Sequence, residues 1–176
     1  MTRIFVTIGT DHHRFDRLIG WIDSFLAGHP DLADETVVQH GQSSPSSRAQ
    51  NRAFLPYDEL TALMAASDIV ITHGGLASIF EARAQGSMPL CVPRDPALHE
   101  IVDAHQQHFA RWLADDSLIL LAEDEATFER LLTATLEQPH IVRVAEDDSR
   151  VRGTVERLDA YVSRVVTAHR GHDLRA

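Results

Sequence analysis

Short runs of apolar, β-branched residues alternate along this chain with longer segments in which apolar residues recur every three or four positions. Ile4–Ile8 is the first run, and the turn-forming Gly9 follows it. Arg14–Ala27 then shows the helical period, which predicts an amphipathic helix. The chain is therefore expected to begin with a strand, a turn and a helix.

The same alternation continues through the chain and predicts its remaining elements. We expect further strands at Thr36–Val38, Ala53–Leu55, Ile69–Thr72, Pro89–Pro93 and Leu118–Leu121. We expect further helices at Pro56–Met64, Leu76–Gln85, Glu100–Leu113 and Glu125–Leu136. The stretch Gly41–Gln50 is rich in Ser, Pro and Gln, has no periodicity and is interpreted as a mobile loop.

Strands that are apolar along their whole length are typical of a parallel sheet covered on both faces. Residues 1–145 are therefore predicted to form a doubly wound, Rossmann-like α/β domain. Residues 146–176 are predicted to form a C-terminal helix, because Ser149–Ala168 carries one apolar face. That face either packs on the domain's own sheet or docks a partner subunit.

Composition and charge narrow the classes of function. The length of 176 residues suits one domain with a real core. The net charge of -10 argues against a nucleic-acid partner, since backbone phosphates demand clustered Lys and Arg. The single cysteine, Cys91, lies in an apolar run and is predicted to be a buried, inert thiol. Because we find no signal-peptide pattern and no apolar run of membrane-spanning length, we expect a cytoplasmic protein.

Candidate ligand-binding loops follow from the predicted sheet, because ligands of open α/β sheets bind at the carboxyl ends of the strands. Three predicted loops lie there, namely Gly9–His13, His73–Ser78 and Arg94–His99. Arg94 comes directly after a strand, where it either meets an anion or is a solvated loop residue. Neither a G-x-G-x-x-G pattern nor a P-loop pattern occurs, which argues against two familiar nucleotide sites.

The second of these loops carries the most specific pattern. Gly74 and Gly75 stand at a strand-to-helix turn, where glycine lets a ligand approach the backbone and free N–H groups suit a phosphate. Ser78 lies in the first helical turn, and Glu81 follows three residues later on the same face. A carboxylate there could accept hydrogen bonds from both hydroxyls of a ribose. A tight turn with a solvated Glu81 fits the same spacing.

Three segments, two of which contain the first and second loops, resemble a known family and together cover most of Arg3–Ala114. The first segment resembles the donor-binding signature of the glycosyltransferase family 28 C-terminal domain, and the resemblance lies in Asp68–Gly75, Ser78, Glu81, Gly86, Pro89 and Val92-Pro93. Asp103–Gln106 is similar to the Asp/Asn-x-His-Gln element of that family. Ile4–His13 with Phe15–Ile19 is similar to the small subunits of bacterial exopolysaccharide transferases that work in pairs. It also resembles the catalytic subunit of the eukaryotic pair that adds the second N-acetylglucosamine to dolichol diphosphate.

The resemblance implies a fold and a set of binding residues. The fold is that of the C-terminal half of a GT-B glycosyltransferase, which binds a UDP-sugar donor. The residues implied in binding are Gly9 and Thr10 at the donor diphosphate, His73, Gly74, Gly75 and Ser78 around it, Glu81 at the ribose, and His105 and Gln106 near the sugar. Backbone near Phe54–Tyr57 is implied to hold the uracil.

The resemblance also implies an activity, namely inverting, metal-independent transfer of the sugar to a lipid-diphosphate-linked acceptor in polysaccharide or glycolipid synthesis, without a cofactor. It implies a membrane-associated partner subunit that supplies the acceptor site and the base, and that recruits this chain to the inner face of the membrane. The sugar stays open among glucuronate, glucose, galactose and N-acetylglucosamine. A UDP-N-acetylglucosamine 2-epimerase-like half domain and a non-catalytic nucleotide-sugar-binding regulatory subunit stay open as other functions.

The chain contains eleven histidines, which are candidates for catalysis and for metal binding. His13 is the candidate catalytic residue for proton transfer, because an unperturbed imidazole titrates near neutrality. His105 and His108 are three apart on a predicted helix and could share a metal ion. An H-E-x-x-H zinc motif beginning at His99 fails, because Asp103 stands at its last position. The resemblance implies that helix dipoles rather than a metal ion hold the diphosphate, so we expect no bound metal.

Overall fold

The structure, a computed structural model, describes residues 2–144, and in these residues six parallel strands form one sheet. The strands are β1 (Ile4–Thr7), β2 (Thr36–Gln39), β3 (Gln50–Arg52), β4 (Ile69–His73), β5 (Leu90–Val92) and β6 (Leu120–Leu121). The predicted C-terminal helix of residues 146–176 lies outside the described residues, as does its proposed role in docking.

The order of the strands across the sheet is β3-β2-β1-β4-β5-β6. Val6 of β1 pairs with Val38 of β2 on one side and with Ile71 of β4 on the other. The chain moves outward from β1 to β3 and then returns to the other side of β1. Such a reversal leaves a crevice at the carboxyl ends of the two central strands, where ligands bind in sheets of this kind.

Five α-helices are described, four between strands and the fifth after β6. They are α1 (Asp16–Gly28), α2 (Tyr57–Ala66), α3 (Leu76–Ala84), α4 (His105–Asp115) and α5 (Glu125–Glu137). Short 3-10 turns lie at Pro30–Leu32, Pro96–Leu98 and Pro139–Val142. None of the helices described between residues 2 and 144 is both long enough and apolar enough to cross a bilayer.

One face of the sheet is covered by α1 and α5. Successive side chains of a strand point to opposite faces, so alternate residues of one strand enter different cores. Val6 and Ile71 of the two central strands share a buried cluster with Leu18 of α1 and Phe128 of α5. The apolar period of α1 is therefore explained by its burial against this face.

The opposite face is covered by α2, α3 and α4. Phe5, the neighbour of Val6 in β1, packs there with Met64 of α2 and Ala82 of α3. Cys91 of β5 belongs to a second cluster on this face, and burial raises the pKa of its thiol to about 12. The predictions of a doubly wound parallel sheet and of a buried Cys91 are both confirmed.

The third strand is not where the sequence predicted it. The predicted strand at Ala53–Leu55 is wrong, since β3 occupies Gln50–Arg52. This edge strand pairs with β2 alone and exposes polar side chains, so it carries no apolar signal. The stretch before β3 is a loop, as predicted. Asp23 of α1 anchors this loop by accepting hydrogen bonds from Ser46 and Ser47.

The fourth long helix begins later than predicted. Helical periodicity suggested a start at Glu100, whereas α4 begins at His105. The backbone carbonyl of Glu100 accepts a hydrogen bond from the buried Arg94 side chain, so it is used outside a helix. The carboxylate of Asp103 accepts from the His105 backbone N–H at 2.9 Å and marks the start of α4.

Candidate functional site

Three loops meet at the carboxyl edge of the sheet, as the sequence predicted. They follow β1, β4 and β5, which are neighbours in the sheet. Because all strands run in the same direction, these loops leave the sheet at the same edge. Buried side chains that reach from one loop to the next determine their spacing.

The His73 imidazole lies between the first and second loops. A Cβ atom added to Gly9 would lie 2.6 Å from His73 Cε1, and one added to Gly75 would lie 2.2 Å from His73 Nε2. Gly9 also has φ +79, which favours glycine. Burial lowers the pKa of His73 to about 4, helped by the charge of Arg94, so the ring is neutral at pH 7. Both glycines therefore make room for a neutral ring that fixes the distance between the loops.

Gln106 connects the second and third loops. A Cβ atom added to Gly74 would lie 2.8 Å from Gln106 Cβ and 3.2 Å from the Cα of Pro93. The Gln106 side chain is buried, and its Oε1 accepts a hydrogen bond from the Arg94 backbone N–H at 3.3 Å. The neighbouring His105 is exposed, and its ring Nδ1 contacts Asp103. The two residues that were predicted to approach the sugar therefore have different surroundings. Gln106 is buried and joins the second and third loops, whereas His105 is exposed to solvent.

The amino end of α3 opens onto this edge. Gly75 is its N-cap residue, and no side chain caps the helix. The first N–H groups of a helix have no intrahelical partner and carry its positive end, so they attract an anion. Ser78 lies half-buried in the first turn, where its hydroxyl can add a donor. This end of α3 is therefore chemically suited to a phosphate group.

Glu81 and the predicted uracil segment lie together. The Tyr57 hydroxyl donates a hydrogen bond to Glu81 Oε2 at 3.0 Å, and this bond raises the pKa of Tyr57. Tyr57 is 62% exposed beside the carboxylate, and Phe54, three residues earlier in the chain, is 51% exposed. An aromatic ring can stack on a base, while the carboxylate can accept hydrogen bonds from hydroxyl groups.

His13 is held by Asp11 in the first loop. Its Nδ1 lies 2.7 Å from Asp11 Oδ1, and its backbone N–H donates to the same oxygen at 2.8 Å. Burial opposes ionisation of Asp11, but these hydrogen bonds lower the pKa of the carboxyl below its usual value. The imidazole is 22% exposed, so a substrate can reach it. A carboxylate that orients an accessible imidazole is the arrangement used by many general bases.

The same loop contains a potential metal-ligand group that the sequence analysis did not consider. Donor atoms of Asp11, His12 and His13 all lie within 4.8 Å of one another, and this is the one such group in residues 2–144. The signal was present in the sequence as an Asp-His-His run after a strand. The spacing permits a divalent cation, although the Asp11 and His13 side chains are already hydrogen-bonded to each other.

Arg94 is not a solvated loop residue, so that interpretation from the sequence is wrong, whereas its predicted meeting with an anion stays a prediction. Its side chain is 1% exposed and donates to the backbone carbonyls of Ile8, His13 and Glu100. The third loop returns to its own start, since the Glu100 backbone N–H donates to the Asp95 carbonyl, and this brings the Glu100 carbonyl within reach of the guanidinium. Arg94 therefore joins the first and third loops from inside the domain.

Comparison with known proteins gives a family model that matches residues 3–143, described as the glycosyltransferase family 28 C-terminal domain. A UDP-N-acetylglucosamine--N-acetylmuramyl-(pentapeptide) pyrophosphoryl-undecaprenol N-acetylglucosamine transferase from Geobacter sp. (strain M21) is 26% identical over 144 residues, covering 80% of this chain and 37% of the relative. The same transferase from Citrifermentans bemidjiense is 29% identical over 129 residues, covering 72% of this chain and 34% of the relative. The chain thus spans little more than a third of the length of these relatives.

Solved structures share the fold at low sequence identity. The crystal structure of Acinetobacter baumannii MurG aligns with a TM-score of 0.54 and 16% identity, covering 80% of this chain and 42% of that one. The glycotransferase of kitacinnamycin aligns with a TM-score of 0.58 and 19% identity, covering 79% of this chain and 35% of that one. At such identities the likeness shows the fold alone, and the aligned part is the α/β half that this chain was predicted to form.

Proposed function

Because the chain belongs to the glycosyltransferase family 28 C-terminal domain family, with the fold of the C-terminal half of a GT-B glycosyltransferase, we propose that it binds a UDP-sugar and serves in transferring that sugar to a lipid-linked acceptor. One observation carries the proposal. The uncapped amino end of α3 lies against the Gly9 loop through His73, while Glu81 of the same helix faces the exposed Tyr57. Groups suited to a diphosphate and to a nucleoside thus share one edge of the sheet.

In the proposed complex the donor diphosphate lies over the start of α3. The N–H groups after Gly75 and the Ser78 hydroxyl donate to it, and Gly9 and Thr10 close over its other side. Glu81 exchanges its bond with Tyr57 for the ribose hydroxyls, and the uracil lies near Phe54. As the bond from sugar carbon to phosphate breaks, negative charge grows on the departing UDP, so donors fixed at this position lower the barrier.

The donor sugar and acceptor are proposed from what the relatives share. Their names specify N-acetylglucosamine and an acceptor linked through pyrophosphate to undecaprenol. We therefore place N-acetylglucosamine first among the four sugars that the sequence leaves open. The names concern a muramyl pentapeptide and give no support for the predicted exopolysaccharide pathway. The acceptor in the names of the relatives and the acceptor predicted from the sequence are both sugars carried on a lipid diphosphate.

We propose that the acceptor site lies on a second domain. The described residues contain one sheet, and the chain covers only 42% and 35% of two solved transferases. We propose that a membrane-associated subunit supplies this domain and holds the chain at the inner face of the membrane. Co-expression with such a subunit, followed by transfer assays on a lipid-diphosphate acceptor, tests this. Full transfer activity by the chain alone would refute partner dependence.

His13 is the candidate general base within this chain. In an inverting transfer the acceptor oxygen bonds to the sugar carbon as UDP leaves from the opposite face, and the hydroxyl proton passes to a base. The Asp11 carboxylate orients the His13 ring for that role. A base on the partner is the alternative. A His13→Gln variant that keeps UDP binding and full transfer in the assembled enzyme would assign the base to the partner.

Donor binding is tested by ligand-observed NMR with UDP, ADP and NAD on the isolated protein. We expect selective binding of UDP, lost in Glu81→Ala and retained in Glu59→Ala. Glu59 is an exposed acid on the adjacent α2, so its variant removes the same charge away from the proposed ribose contact. Equal signals for the three nucleotides, or an unchanged UDP signal in Glu81→Ala, would contradict the proposed donor site.

A further inference from the structure

A buried cation stands behind the first loop without a carboxylate bound to it. The guanidinium of Arg94 is 1% exposed, and its hydrogen-bond acceptors are three neutral backbone carbonyls. We propose that Arg94 is a positioning residue of the donor site, which orients the Gly9–His13 loop and supplies a fixed positive charge beneath the donor diphosphate. This inference rests on the proposed UDP-sugar site and attributes part of the affinity of that site for the diphosphate to Arg94.

The hydrogen bonds of Arg94 hold both ends of the first loop. Its Nη2 donates to the Ile8 carbonyl at 2.9 Å, directly before Gly9. Its Nη1 donates to the His13 carbonyl at 2.7 Å, at the end of the loop. The same Nη1 reaches the Glu100 carbonyl at 2.9 Å, so the third loop is joined to the first. A planar guanidinium can make this set of bonds, whereas an ammonium group cannot match its geometry.

These bonds also orient two peptide groups. The described chain has no cis peptide bond, and in a trans peptide the N–H points opposite to the C=O. Since the Ile8 carbonyl points to Arg94 inside the domain, the Gly9 N–H points away from it. The same holds for the N–H of Arg14, which follows His13. Arg94 therefore determines the direction in which backbone donors of the loop point.

Within the described residues no carboxylate accepts a hydrogen bond from the Arg94 guanidinium, although the charges of Asp11 and Glu100 both favour its ionised form. Glu100 is engaged elsewhere, since both of its carboxylate oxygens accept from Arg17, at 2.9 and 2.8 Å. The Phe15 ring, 4.9 Å from the guanidinium carbon, covers Arg94 and keeps water away. The positive charge reaches the loops, because it contributes to the lowered pKa values of His73 and Asp11. A diphosphate at the start of α3 would lie within the same field.

The test compares UDP with uridine, because a charge effect acts on the diphosphate and a purely structural effect acts on both ligands. Dissociation constants are measured by NMR titration for the wild type, Arg94→Gln, Arg94→Lys and Arg83→Gln. Arg83 is the matched control, since it also donates to a backbone carbonyl, that of Leu118, but from the opposite end of α3. Circular dichroism confirms that each variant is folded.

We expect Arg94→Gln to weaken UDP binding by at least about tenfold and uridine binding by less than about threefold. Two unit charges about 8 Å apart at an effective dielectric constant of about 20 shift an equilibrium by roughly thirtyfold, which supports this scale. Arg94→Lys, which keeps the charge, should retain the preference for UDP over uridine within about threefold. Arg83→Gln should leave both constants unchanged.

Two results overturn the inference. If Arg94→Gln weakens UDP and uridine by the same factor, Arg94 has a structural role only. If Arg94→Gln does not fold, Arg94→Lys decides alone, and a tenfold loss of the UDP preference in that variant removes the charge explanation. A wild-type protein that binds UDP no more tightly than uridine would instead refute the diphosphate site itself, and the proposed function with it.

Discussion

Replacing Gly75 with alanine tests whether His73 fixes the spacing of the loops. The backbone of Gly75 has φ -79 and ψ 126, a conformation that alanine adopts without strain. The added Cβ would nevertheless lie 2.2 Å from His73 Nε2 and 2.9 Å from His73 Cδ2. His73 is half-buried, and its ring lies against the Gly9 loop on its other side, so it cannot move aside without displacing that loop.

The expected loss of stability has two parts. Overpacking against this ring costs about 1–3 kcal/mol. Gly75 is also the N-cap residue of α3, where alanine is less favourable than glycine by roughly 0.5–1 kcal/mol. We therefore expect Gly75→Ala to lower the free energy of unfolding by about 2–4 kcal/mol. UDP binding should weaken as well, because the two loops are forced apart.

A double-mutant cycle in urea, followed by far-UV circular dichroism, separates these parts. In the His73→Ala background the collision is gone, so Gly75→Ala should cost only the N-cap contribution of about 1 kcal/mol. Gly86→Ala is the control, because its φ of +82 strains any side chain while nothing lies within 4 Å of an added Cβ. Its cost should be the same in both backgrounds. Equal costs of Gly75→Ala in the presence and absence of the His73 ring would refute the packing explanation.

Three other predictions follow from the same geometry. The folded His73 binds a proton only near pH 4, whereas the unfolded residue binds one near 6.5, so stability should fall by roughly 2 kcal/mol between pH 7 and pH 5. Urea unfolding of the wild type and of His73→Asn is measured at pH 7 and at pH 5. The contribution of His73 to the decrease in the free energy of unfolding should be absent in the variant. Cys91 should not react with a thiol reagent in the folded protein and should react once after denaturation, as measured by absorbance, because its thiol is buried and its pKa is about 12. EDTA and added Mn²⁺ should each leave UDP affinity unchanged within about twofold. The reason is that helix N–H groups, rather than an ion at Asp11–His13, are proposed to hold the diphosphate. A tenfold loss of UDP affinity on chelation would show that this loop binds a functional metal.

The central strands were predictable from the sequence because both of their faces are buried. The predicted run Ile69–Thr72 matches β4, which ends one residue later at His73, and its apolar residues fill two cores. The edge strand β3 was missed because Gln50–Arg52 has no buried face to select apolar residues. Where burial does not select the residue types, the pattern contains no strand signal.

The site was predictable in its position but not in its internal contacts. The sequence indicated that the loops after β1, β4 and β5 share one edge, and a parallel sheet makes this a geometric necessity. The contact of His73 with Gly9 joins residues far apart in the chain, and no local pattern reports it. The inward turn of Arg94 depends in the same way on carbonyl groups of the first loop and of Glu100. The sequence left a solvated arginine open, because most arginines are exposed.

The two sides of the sheet affect how the domain behaves when it is alone in solution. A strand at the side of a sheet has unpaired backbone groups that can recruit a strand of another molecule and start aggregation. Here one side ends in β3, whose Gln50 and Arg52 are exposed polar residues, and the other ends in β6, which has only the two residues Leu120–Leu121. Neither offers a long apolar template. The domain should therefore resist self-association through its strands.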